Sequence, residues 1–102
     1  MRGGDVKGMG EESKITKGTL VVEEHHMLLL PPRITVVEGV ARNIGIMYLH
    51  YAKVRVKFYD SNGEMIGTAL DEVYDLASNE TWHFSVIYFR RAKSYKIEVE
   101  TV

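Results

Sequence analysis

The chain of 102 residues has no cysteine, no glutamine, two prolines, one tryptophan and no long apolar run. Without cysteine there is no disulfide framework, no thiol nucleophile and no thiolate metal site, and either redox compartment is compatible with the composition. The longest uncharged stretch, residues 43–52, is about half of what crosses a bilayer. Residues 1–10, MRGGDVKGMG, lack the apolar segment of a secretory signal. The chain therefore reads as soluble: cytoplasmic if complete, extracytoplasmic if cut from a longer anchored protein. A net charge of -1 is not that of a non-specific nucleic-acid binder, which neutralises phosphates with a cationic excess. Glu and Lys dominate the charge and amides are scarce, a pattern seen in thermophile proteins.

What remains is β-rich. Residues 1–13 carry four glycines and little to bury, and read as a flexible tail; residues 14–102 form a single domain. Six strands are expected: Thr19–Leu28, Arg33–Asn43, Tyr51–Tyr59, Glu64 to about Leu70, Thr81–Phe89 and Ser94–Val102. Pro31 and Pro32 end the first, since proline cannot donate to a ladder. In the third, Val54, Val56 and Phe58 alternate with Lys53, Arg55, Lys57 and Tyr59. Trp82, Phe84 and Val86 in the fifth, and Tyr95, Ile97 and Val99 in the last, repeat that period of two. One-sided strands need a second layer and no long helical pattern supplies it, which leaves a sheet packed on a sheet. Residues 70–76, LDEVYDL, fit either a helical turn or an extension of the fourth strand.

Asp60-Ser61-Asn62-Gly63-Glu64 starts like a calcium loop, but its glycine is fourth rather than sixth and its twelfth position is Asp71. Asn-Gly between two alternating runs is instead a hairpin signal, with both residues expected at positive φ in a type I′ turn.

That turn sits in a wider pattern. Val56-Lys57-Phe58-Tyr59-Asp60, then Asn62-Gly63 and Met65-Ile66-Gly67-Thr68, resembles the FxLYD family, named for a Phe-x-Leu-Tyr-Asp strand end. Val37, Gly39, Ala41 and Asn43 match the spacing of its V-x-G-x-V-x-N strand, and Asn79–Phe84 stands where members carry a Pro-Gly turn and an aromatic strand. The resemblance covers roughly residues 33–102. Val56, Phe58, Ala41 and Ser78-Asn79 depart from the pattern, mostly by exchanging one apolar residue for another. It implies an immunoglobulin-like or fibronectin-III-like antiparallel β-sandwich of six or seven strands. Members of that family are commonly found in prokaryotic surface or membrane-anchored proteins, with no established catalytic role, so the resemblance supplies no catalytic residues.

Chemistry is sparse. His25 and His26 are adjacent and face opposite sides of a strand; Glu23 would share a face with His25, and Glu24 with His26. A metal reading built on His25 and His26 needs a third ligand, and His50 or His83 would have to supply it. None of Ser13, Ser61, Ser78, Ser85 or Ser94 lies in a nucleophile elbow, and no glycine-rich phosphate cradle occurs. Arg90, Arg91 and Lys93 form the only basic cluster, read as a solvated turn balanced by Glu98 and Glu100. Lys53, Arg55 and Lys57 are expected to trade charges with Glu98 and Glu100 across a sheet.

The uncharged stretch NIGIMYLHYA, Asn43–Ala52, is the least ordinary segment. Its apolar side chains either plug an open end of the sandwich or form an exposed contact loop, with Met47, Tyr48 and Tyr51 as interaction residues. The sequence thus points to a non-catalytic structural or interaction module, without cofactor, that binds a protein partner or itself. A metal-binding protein, or a carbohydrate-binding module using exposed Tyr and Trp, is the alternative.

Overall fold

The computed structural model describes residues 15–102; the expected tail, residues 1–13, lies outside them. Seven strands form the chain: β1 (Ile15–Lys17), β2 (Leu20–Leu30), β3 (Ile34–Asn43), β4 (Leu49–Tyr59), β5 (Met65–Leu76), β6 (Thr81–Tyr88) and β7 (Ser94–Thr101). They make two antiparallel sheets, ordered β1-β2-β3-β6 and β5-β4-β7. The β3–β6 pair in one sheet and the β4–β7 pair in the other interlock as in an immunoglobulin-type Greek key. The fold is the β-sandwich that the alternation implied. β5 runs through Leu76, so residues 70–76 extend a strand and contain no helical turn.

The period of two decides the core. Val54, Val56 and Phe58 of β4 are buried completely, facing Trp82, Phe84 and Val86 of β6 and Leu20, Val37 and Ala41 of the same sheet. Of the inward residues of β7, Val99 is buried while Tyr95 and Ile97 are only partly so, because β7 lies at a sheet edge. Phe58 stacks on Tyr88 with ring centroids 4.5 Å apart. Two strand-interior glycines make room for β6 aromatics. A Cβ at Gly39 would fall 2.4 Å from Phe84 Cζ, and one at Gly67 only 2.1 Å from Tyr88 Oη. Gly67 lies beside a bulge in β5, and the Tyr88 hydroxyl donates to the Ile66 carbonyl there at 2.7 Å.

The β4–β5 turn differs from expectation. Gly63 has φ of 81°, but Asn62 is not at positive φ. Gly63 N–H donates to the Asp60 carbonyl and Asp60 N–H to the Glu64 carbonyl, the pattern of a type I turn closed by a left-handed glycine. Asp60 causes this. Its Oδ1 accepts from the N–H of Asn62 and of Glu64, at 2.9 and 3.0 Å, which holds Asn62 in right-handed backbone. The carboxylate that resembled a calcium ligand organises the turn.

Among the described residues, β1 covers only Leu20–Val22 of β2, leaving the outer edge of β2 beyond it open. Glu23, Glu24, His25 and His26 occupy that edge, and charge is what discourages unwanted strand addition. Phe58→Ala should lower unfolding free energy by about 3–5 kcal/mol, through lost transfer energy and the cavity left beside Tyr88. Urea unfolding checks this, and a near-neutral result would mean that the inward face of β4 is misassigned.

Candidate interaction surfaces

The histidines do not converge. A bulge between Val22 and Glu24 turns Glu23 to the outer face, where Arg42 Nε donates to it at 2.9 Å. Glu23 and His25 therefore do not share a face, contrary to the simple alternation. His25 faces the opposite sheet and is hydrogen-bonded to the Tyr95 hydroxyl at 2.6 Å, with the rings edge to face. His26 meets Glu38 at 3.1 Å on the outer face. No group of three or more His, Asp or Glu able to hold a metal ion occurs among the described residues. Trp82 is buried against Phe84, so it offers nothing to a sugar. Tyr51 and Tyr74 lie 5.3 Å apart but tilted by 54°, which is not a flat platform.

The β3–β4 connection, residues 44–48, stands clear of the core. Ile46 is 94% exposed, Met47 72% and Tyr48 50%, and Ile44 is exposed too. The plug reading is corrected: from this stretch only Leu49 and Ala52 enter the core, where Leu20, Leu76 and Trp82 already close that end. Tyr51 is not a loop residue. It belongs to β4 on the outer face of the three-stranded sheet, and its hydroxyl donates to Glu72 at 2.7 Å. That hydrogen bond, first, and then burial and nearby carboxylates push the hydroxyl up to about 12. Tyr48 packs edge-on against His50, with centroids 4.7 Å apart.

The loop is exposed yet fastened, and sequence reasoning missed the residue that fastens it. Asn43 is wholly buried. Its Nδ2 donates to the carbonyls of Met47 and Leu76, and its Oδ1 accepts from the Thr19 hydroxyl and the Gly45 N–H, all within 2.9–3.1 Å. Its backbone adds bonds to Asn79 and Glu80. The available signal was a polar residue at an inward position of a strand. Thr35 does the same at the other end of β3, donating to the Arg90 carbonyl at 2.7 Å and accepting from Ala92 N–H at 3.0 Å.

A second unusual surface lies on the outer face of the four-stranded sheet. Leu28, Val36 and Ile87 form one cross-strand row, and Leu30 pairs with Ile34 in the next. Leu28, Leu30 and Ile87 are exposed, as is Phe89 just past β6. On the other sheet the charges trade as expected: Lys53 pairs with Glu100 at 3.1 Å and Lys57 with Glu98 at 2.7 Å.

No protein-family model matches the chain, and no solved structure matches it. The chain is similar to an uncharacterized protein of Methanocaldococcus jannaschii, 31% identical over 64 residues, or 63% of this chain. The matched part spans 47% of that relative's length. No helix among the described residues is long and apolar enough to cross a membrane.

His25 gives a pH dependence. Burial, and then the neighbouring His26, hold its ring below the ordinary value. The neutral form is therefore favoured in the fold: its contribution is complete above the unfolded value of about 6.5 and is lost as pH falls through the lower folded value. The melting temperature should decline as pH falls below about 6.5. The decline should be shallower in His25→Asn; an unchanged slope would show that His25 is not its source.

Proposed function

We propose that the chain is a non-catalytic interaction module, whose contact element is the β3–β4 loop with Met47 and Tyr48 at its centre. The observation that carries this reading is the combination of exposure and anchorage. Ile44, Ile46, Met47 and Tyr48 are turned to solvent, while Asn43 fixes the carbonyl of Met47 and the N–H of Gly45. Exposed apolar side chains cost solubility, and a loop whose backbone is already ordered loses little further entropy on binding. Met adapts to a partner's contour and Tyr adds a rigid ring with a polar handle, the residue types enriched at interface centres. Sandwich loops gathered at one end are the usual carriers of recognition.

The resemblance of residues 33–102 to the FxLYD family supports the same reading, since that family contributes architecture rather than catalytic groups. Tyr51 drops to a flanking role, because its hydroxyl is committed to Glu72. The partner is a protein surface, with a second copy of the chain the simplest case.

Met47→Ser combined with Tyr48→Ser tests this. Light scattering across a concentration series should show weaker self-association in the double variant, with the melting temperature unchanged because neither side chain is in the core. Identical association in the two proteins would remove the loop from consideration.

A further inference from the structure

The opposite end of the sandwich has a different chemistry. It is built from the β2–β3 turn, the β4–β5 turn and the β6–β7 loop. Its apolar side chains stand out: Phe89 is 76% exposed, and Leu29, Leu30 and Met65 at the same end are exposed too. The same turns carry Arg33, Arg90, Arg91 and Lys93 against two acids, Asp60 and Glu64. The balancing of this cluster by Glu98 and Glu100, expected from sequence, does not occur, because both pair with β4 lysines in the middle of the other sheet. The four ion pairs among the described residues use none of these four cations. Asp60 spends one carboxylate oxygen on its own turn.

Between these turns lies a cavity of about 320 Å³ lined by Leu29, Asp60, Ser61, Arg91, Ala92 and Lys93. One wall is apolar and two cations edge it. The loop that presents them is rigid: Thr35 holds Arg90 and Ala92, and Lys93 N–H donates to the Tyr59 carbonyl at 2.8 Å.

We propose that this end docks on the anionic surface of a phospholipid bilayer, with the phosphate of a headgroup at Arg91 and Lys93 and with Leu29, Leu30 and Phe89 entering the acyl boundary. The inference goes beyond the protein-contact reading and uses none of its residues. Charge and shape choose the occupant. A peptide is bound in a groove or along a strand edge, whereas these apolar side chains are gathered at strand ends around basic turns: Leu29 and Leu30 close β2, Met65 opens β5 and Phe89 follows β6. A bilayer interface accepts protruding Leu and Phe with basic residues at headgroup level. The chain's net charge of -1 makes the attraction local to this end, so it is screened readily by salt.

Co-sedimentation with vesicles of equal parts phosphatidylglycerol and phosphatidylcholine, at low salt, tests it. The protein should pellet with these vesicles, not with pure phosphatidylcholine, and should be released by added salt. Arg91→Glu with Lys93→Glu should weaken binding at least about tenfold. Phe89→Ser should weaken it several-fold at unchanged melting temperature, because the ring is exposed. Inorganic phosphate should displace no more protein than chloride of equal ionic strength, since a free phosphate lacks the acyl boundary. The proposal is overturned if the protein fails to pellet with the anionic vesicles, or if the charge-reversed variant pellets as the parent does. Displacement by a polyglutamate peptide beyond that by chloride of equal ionic strength would also overturn it, assigning the end to an acidic protein instead.

Discussion

Two polar side chains at opposite ends of β3, both with no exposure, carry the constraint on which the rest of this sandwich depends. Asn43 has two donors and two acceptor lone pairs, and all four are used. It joins the β1–β2 turn, the β3–β4 loop and the end of β5 through one amide. Thr35 uses a single hydroxyl to pin the β6–β7 loop across the far end. Buried polar groups of this kind add little net stability when satisfied, but each orphaned partner costs about 1–3 kcal/mol. The sheets supply the hydrophobic energy, and these two residues decide where the connections run.

That division explains how exposed apolar loops coexist with a well-filled core. Leu20, Leu76 and Trp82 close one end, so Ile44–Tyr48 need not fold inward. At the other end Ala92 is the only residue of the β6–β7 loop to enter the core, and its N–H is held by Thr35. Arg91 and Lys93 on either side of it are left facing solvent. One end is apolar and uncharged along its longest loop; the other mixes exposed apolar side chains at strand ends with four cations.

Much of this was legible. The alternation in Lys53–Tyr59 predicted the inward set Val54, Val56 and Phe58, because a buried face on a strand admits only every second residue. The charge exchange between β4 and β7 followed from the same period. What was not legible depends on single hydrogen bonds or on irregularities in a ladder. Asn-Gly suggested a type I′ turn, but the Asp60 side chain captured two N–H groups and kept Asn62 right-handed. The bulge after Val22 rotated Glu23 away from His25. Residues 70–76 fit two periodicities at once, and pairing with β4 over the whole length resolved them as strand. The loop 44–48 looked able to plug the core because its composition is apolar; only the contents of the end, set by distant strands, show that no space remains.

The central claim is that each buried polar residue of β3 fastens its own end independently. Hydrogen exchange of Asn43→Ala and Thr35→Val tests it most directly. Asn43→Ala should deprotect Gly45 and its neighbours in the β3–β4 loop while Ala92 and Lys93 keep their protection, and Thr35→Val should do the reverse. A uniform loss of protection over both ends in either variant, or no change at the mutated end, would contradict the account.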